Sequence, residues 1–262
     1  MEWSDTWLLK FHPEKCKQMT IGNTANTDNR VYSLCGTELQ KVTQEKDIGV
    51  TVDFKLTFER HIAEKVKKAN QMFSMIRRTF QNLNEKNFIP LYKALVRSHL
   101  DFSCAVWSPA NMKTIELVEG VQRRATKQIP GFRNLSYPDR LKRLKLPTLS
   151  YRRVRNDMIE VYKIVNGIYD NKCISCLNMW QNVSHHTETR GHHLKIYPQQ
   201  SRLKLRQNSF AVRVTNLWNS LPLNVILSPT INTFKARIDA FWSNQEILYD
   251  FKQKIKTTGR NT

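Results

Sequence analysis

The sequence predicts an α+β fold that is mostly α-helical. A small strand-and-turn region is expected at residues 1–58, a helical basic domain at 59–167, an irregular connection at 168–207 and a helical C-terminal region at 208–262. Three observations predict it. Short β-prone runs separated by polar or glycine-containing stretches occur only before residue 58. From His61 onward apolar residues recur at three- and four-residue spacing, the period of helices with one buried face. Apolar residues make up 40% of the 262 residues and aromatics 10%, enough to build a core beneath a formal charge of +20.

The elements follow in order. Trp3-Ser4-Asp5-Thr6-Trp7-Leu8-Leu9 is a helix-like apolar opening with no room before it for a partner element, so a missing upstream segment is expected. Met19-Thr20-Ile21-Gly22, Val31-Tyr32-Ser33-Leu34 and Ile48-Gly49-Val50-Thr51-Val52 are the strand candidates, expected as one small antiparallel sheet. Ile62, Val66, Ala69, Phe73, Ile76 and Phe80 then fall at intervals of 4, 3, 4, 3 and 4, one stripe of a long helix, with Lys65, Lys68, Arg77 and Arg78 off it. Asn84 has the form of an N-cap, with Glu85 in the first turn and Phe88, Leu91, Leu95, Val96 and His99 along one side. Ile115, Val118, Gln122, Ala125 and Ile129 mark a third helix stopped by Pro130-Gly131. Ser136, followed by Pro138 and Asp139, opens a short helix to Leu144, and a long helix from Leu149 ends at Gly167. Past the weakly periodic stretch, Phe210, Val214, Leu217 and Leu221 give one helix before Pro222. Phe234, Ile238 and Phe241 give another, capped around Ile231 and Asn232, and the tail from Phe251 is expected to fray.

Composition excludes several classes. Uninterrupted apolar stretches are only a few residues long, far short of the roughly 20 that span a bilayer, and Glu2 and Asp5 stand where a signal peptide carries basic residues. The five cysteines are odd in number and widely spread, which does not resemble a disulfide framework. An intracellular chain, cytoplasmic or nuclear and without a membrane partner, is expected. An excess of 42 Lys+Arg over 22 Asp+Glu calls for a polyanionic partner, nucleic acid first.

The strongest local signal lies between Val121 and Arg155, where Arg123, Arg124, Lys127, Arg133, Arg140, Lys142, Arg143, Lys145, Arg152, Arg153 and Arg155 face Asp139 alone. Solvated helix faces mix signs to avoid such repulsion, and guanidinium forks donate two hydrogen bonds to one phosphate. Nothing in the run reads bases, so backbone contact is the expectation. The aromatics Trp107, Tyr151 and Trp218 lie beside basic segments where bases stack, but Trp107 and Trp218 sit in apolar surroundings and are expected in the core. Cys173 and Cys176, with His186 and His192 following, offer soft and imidazole ligands. Their spacing is short of a zinc finger, so a polar loop is the competing reading and no metal site is assigned. The chain carries neither an Asp-Asp pair nor a Gly-rich phosphate loop.

Phe11-His-Pro-Glu-Lys-Cys-Lys-Gln-Met19, Glu45-Lys-Asp-Ile-Gly-Val50, Pro90-Leu-Tyr-Lys-Ala-Leu-Val-Arg97, Ala105-Val-Trp-Ser-Pro109, Val121-Gln-Arg-Arg-Ala125 and Leu217-Trp-Asn-Ser-Leu-Pro222 together resemble the reverse transcriptases of non-LTR, LINE-type retrotransposons of the CR1 and jockey kind. The resemblance begins just downstream of that family's Tyr/Phe-Ala-Asp-Asp box. It implies the end of a palm, a primer-grip-like turn, a thumb and a C-terminal region, with magnesium belonging to the absent catalytic palm and no cofactor in this chain. It further implies that Lys15 lies near an incoming triphosphate, that Gly49 lets backbone approach a primer strand, and that the helices from His61 track a template–primer duplex of RNA and DNA. The expected nucleic-acid contacts are Lys15, Gly49, Lys65, Lys68, Arg77, Arg78, Arg123, Arg124, Lys127, Arg140, Arg143, Arg152, Arg153 and Arg155, with no catalytic residue. The competing expectations are a domesticated, non-enzymatic RNA- or DNA-binding protein and, last, a metal-dependent nuclease built on the histidines.

Overall fold

The structure, a computed structural model, describes residues 2–22, 30–81, 83–180 and 194–257. It is mostly helical, with a few short strands at its start, and divides into two compact units, Met1–His61 and Ile62–Thr262.

In the first unit, α1 (Glu2–Thr6) ends where Leu8 turns to φ 54°, and Trp3, Trp7, Leu8 and Leu9 are all exposed. The strands are β1 (Lys17–Gln18), β2 (Ser33–Leu34), β3 (Thr37–Glu38), β4 (Gln40–Lys41), β5 (Gln44–Asp47) and β6 (Val50–Asp53). They do not make the single antiparallel sheet that the sequence suggests. β1 pairs with β4 in parallel, β2 with β3 and β5 with β6 antiparallel, as three separate ladders. Met19–Gly22 is not a strand; there the chain is held by the Gly22 N–H donating to the Phe54 carbonyl at 3.0 Å. Asp53 closes the unit by accepting from the Lys55, Thr57 and Phe58 amides at 3.0, 3.1 and 2.7 Å, which fixes the turn into the next helix.

That helix, α2 (Glu59–Thr79), buries Ile62, Val66, Ala69, Phe73 and Ile76 as the spacing predicts, while Phe80 lies beyond its end and is exposed. Asn84 caps α3 (Glu85–Leu91), its side chain accepting from the Asn87 amide at 3.0 Å. α3 runs through a π-helical segment, Tyr92–Arg97, into α4 (Ser98–Asp101). The buried stripe here is Phe88, Tyr92, Val96 and Leu100. Leu91, Leu95 and His99 are only half-buried, and the wider π turns between Tyr92 and Arg97 rotate the residues that follow away from the positions a continuous α-helix would give them. α5 (Cys104–Trp107) and α6 (Met112–Lys127) follow, the latter capped by Asn111 accepting from the Thr114 amide at 2.8 Å. Ser136 accepts from the Asp139 amide at the start of α7 (Tyr137–Leu144), and Thr148 caps α8 (Leu149–Val165).

The remaining helices are α9 (Lys204–Gln207), α10 (Phe210–Arg213), α11 (Thr215–Asn219), α12 (Leu223–Ile226) and α13 (Ile231–Phe241). Three expectations change here, the first being that the single helix expected from Phe210 to Leu221 is interrupted at Val214, between α10 and α11. The cap of α13 is Thr230, accepting from the Thr233 amide at 3.1 Å, and not the Ile231/Asn232 pair. The tail from Phe251 is tied down as far as residue 257: Phe251 is buried, and Gln245 exchanges two hydrogen bonds with the Lys256 backbone at 2.8 and 3.1 Å. The core joins α8 to the C-terminal helices, with Tyr162 stacked on Phe234 at 4.4 Å and Trp218 and Trp242 fully enclosed.

Candidate nucleic-acid interface

Charge divides unevenly between the units. Residues 1–61 carry eight Lys+Arg against nine Asp+Glu, whereas residues 62–262 carry thirty-four against thirteen. The whole cationic excess therefore belongs to the second unit.

Within that unit the buried stripe of α2 separates two polar flanks. On one flank Lys67, Asn70, Gln71, Ser74 and Arg78 line an open groove of about 560 Å³, closed on its far side by Leu117 of α6. Arg124 bridges the two helices, its Nη2 donating to Asn70 Oδ1 at 3.2 Å. It lies over Gly120, where a β-carbon would come within 3.3 Å of the guanidinium, so glycine gives the arginine its path. Arg123 and Lys127 are exposed on the same helix, and Arg77 is exposed near the end of α2. Arg143 of α7 extends the cationic face while pairing with Glu85 at 2.5 Å and lying over the Phe132 ring at 4.7 Å. Lys65 and Lys68 occupy the opposite flank of α2, away from the groove, because three residues along a helix turn the side chain back to the same side.

Arg133 is exposed, but four other arginines of the basic run are engaged by the protein itself. Arg140 is buried, and its Nη1 donates to the Arg123 carbonyl at 2.9 Å. Arg152 makes a two-pronged contact with Asp101 at 2.6 and 3.1 Å. Arg155 makes another with Asp239 at 2.5 and 2.7 Å. Arg153 is buried beside Ser150, and that burial pulls its guanidinium below the ordinary arginine range. These four are engaged by groups of the protein itself, and the cationic side chains open to solvent are the other, exposed members of the run. The partners Asp101 and Asp239 lie 51 and 84 residues away from their arginines, outside any window in which local charge can be counted.

A buried polar chain that the sequence reading missed fixes the exposed face from beneath. The Tyr92 hydroxyl donates to Gln122 Oε1 at 2.8 Å, and Gln122 Nε2 donates to the Tyr137 hydroxyl at 3.1 Å and the Pro147 carbonyl at 3.0 Å. Tyr137 donates in turn to Glu119 at 2.6 Å, whose other oxygen accepts from the Leu149 amide at 3.0 Å. Burial raises the Glu119 carboxyl above its ordinary range, opposed by the Tyr137 hydrogen bond. The only signal was Gln122 standing in an apolar stripe. Through it the π segment, α6, α7 and the start of α8 share one network, and Arg123 and Arg124 sit one and two residues beyond its hub.

Trp107, Trp218 and Tyr151 are buried, Trp107 and Trp218 with their ring N–H groups bonded to the Phe102 and Leu194 carbonyls at 2.7 and 2.8 Å. In the first unit Lys15 is exposed at the end of a 3₁₀ turn, Pro13–Lys15, and Gly49 takes φ 82° in the two-residue β5–β6 turn. Cys173 and Cys176 lie in a 3₁₀ turn, Asn171–Cys176, while His186 and His192 fall outside the described residues. Among the described residues no group of three metal-ligating side chains converges, and no helix is long and apolar enough to cross a membrane.

No family model matches the chain, and no solved structure matches it. Half of the chain is 27% identical to an uncharacterized protein of Caenorhabditis elegans, covering 68% of that protein. Half is likewise 27% identical to the RNA-directed DNA polymerase from mobile element jockey of Drosophila melanogaster and 22% identical to a probable RNA-directed DNA polymerase from transposon X-element of the same fly. The chain spans about 14% of the length of each of these polymerases. Over half of its length, this chain is therefore similar to the reverse transcriptases of jockey-like, non-LTR mobile elements.

Proposed function

We propose that this reverse-transcriptase-derived chain binds nucleic acid through the cationic face of its second unit, following the sugar-phosphate backbone of an RNA–DNA template–primer duplex. The observation that carries the reading is the concentration of excess charge on residues 62–262, where Arg77, Arg78, Arg123, Arg124, Lys127 and Arg143 are all exposed, Lys67 and Arg78 line a groove beside α2 and Arg124 is bonded to Asn70 at its edge. Guanidinium groups spaced along packed helices suit successive phosphates, and the absence of a base-reading arrangement suits contact that ignores sequence. Lys15 and Gly49 join the set only through the resemblance of their segments.

We further infer that the chain does not transfer nucleotides by itself. Two-metal chemistry needs carboxylates that converge and remain open. Here Asp101 and Asp157 are held by Arg152 and Arg213, and Glu119 by Tyr137 and the Leu149 amide, and among the described residues no three carboxylate or other ligating side chains converge, so these residues do not fit a magnesium pair. No step through a metal is derived.

The test is the Arg123→Ala/Arg124→Ala double variant, assayed for affinity to an RNA–DNA duplex across a salt series. Loss of about 1–3 kcal/mol, with the log–log salt slope flattened by about 2, is the expected outcome. An unchanged slope would remove α6 from the contact surface.

A further inference from the structure

Phe102 stands between α4 and α5 and is 45% exposed, yet the backbone that carries it is fixed on both sides. Its N–H donates to the Ser98 carbonyl at 3.1 Å, and its own carbonyl accepts from the Nε1 of Trp107, a side chain only 1% exposed, at 2.7 Å. The next residue, Ser103, adopts a left-handed conformation at φ 51°, which is strained for a residue with a β-carbon, and its carbonyl accepts from the Val106 amide at 2.9 Å. A buried tryptophan thus anchors a tight turn whose outcome is to hold a phenyl ring outward.

The surroundings of that ring are cationic. Lys65 Nζ lies 5.0 Å from the ring centroid, and Lys68 is exposed one turn further along the same flank of α2. His99, one turn before Phe102, is half-buried, and burial followed by the charges of Lys65 and Lys68 holds its imidazole below the ordinary histidine range. Asp101, the acid adjacent in sequence, is already taken by Arg152 and Arg97. An exposed aromatic ring with one ammonium group over it and a second along the same flank of α2 matches the chemistry of a nucleotide, whose base can stack on the ring and whose phosphates need cations. In a duplex that surface is covered by neighbouring bases, so only an unpaired base can use the ring.

We propose that Phe102, with Lys65 and Lys68, forms a platform for an unpaired stretch of RNA or DNA, the ring stacking on a base and the two ammonium groups holding its phosphates. The inference rests on the nucleic-acid reading above and deepens it. It adds a single-strand site on the flank of α2 that faces away from the groove, and it moves Lys65 and Lys68 from the duplex set to this one.

The experiment measures fluorescence anisotropy of the full chain with a labelled uridine decamer and, separately, with a blunt RNA–DNA duplex. Phe102→Ala and Phe102→Leu should weaken decamer binding about tenfold, while Phe102→Trp keeps it within about twofold. None of the three should alter duplex affinity. Lys68→Gln should weaken decamer binding and flatten its salt slope by about 1. Decamer affinity that survives in Phe102→Leu, or a wild-type chain that binds the duplex and ignores the decamer, overturns the platform and leaves the duplex reading standing. Phe102-dependent decamer binding without duplex binding supports the platform and removes the duplex reading.

Discussion

Gln122 lies at the centre of the second unit's polar interior, fully enclosed and bonded to Tyr92, Tyr137 and Pro147. Replacing it by leucine keeps the volume and removes three hydrogen bonds at once, stranding the Tyr92 hydroxyl and the Pro147 carbonyl and leaving Tyr137 only its bond to Glu119. Gln122→Leu should therefore cost about 2–4 kcal/mol in denaturant unfolding; a loss below about 0.5 kcal/mol would mean that water or rotation of the tyrosines replaces the amide. At this scale the sequence was legible in part. The helical period identified residue 122 as a core position, yet nothing in the local sequence linked it to tyrosines 30 residues before and 15 residues after it. The same limit governs the arginines. Arg123 and Arg140 look alike in the basic run, but one is exposed and the other buried against the first one's carbonyl, a difference that only the α6–α7 packing decides.

The elements themselves were more legible where many residues repeat a period. The α2 stripe and the caps at Asn84 and Ser136 follow the sequence closely, since each rests on a strong local rule. The short strands did not, because two-residue ladders leave almost no alternation to read. The π segment was also hidden, because a few wider turns inside a helical run shift which residues share a face without leaving a period of their own. The β5–β6 hairpin gives the element-scale prediction. Its two-residue turn places Ile48 at φ 41° and Gly49 at φ 82°, and Ile48 is a β-branched residue, 88% exposed, in a conformation that favours asparagine or glycine. Ile48→Asn should stabilise the hairpin by about 0.5–1 kcal/mol, read as slower amide exchange at Val50 and Val52. Faster exchange would show that the isoleucine is held in place by contacts worth more than the turn strain.

For the whole molecule the governing quantity is the charge of +20, all of it accounted for by the second unit. Self-repulsion of that size opposes compaction, and in residues 62–262 it is relieved only locally, by pairs such as Arg152 with Asp101 and Arg213 with Asp157. In the function we propose, the exposed remainder meets the phosphates of a nucleic acid, and affinity then comes mainly from the counterions released, which ties that function to ionic strength. The measurement that tests this most directly is the dissociation constant of the full chain for an RNA–DNA duplex, followed from about 50 to 300 mM salt. Contact with about six phosphates predicts a log–log slope near −5, whereas a slope near zero, or no binding at the lowest salt, would contradict the account.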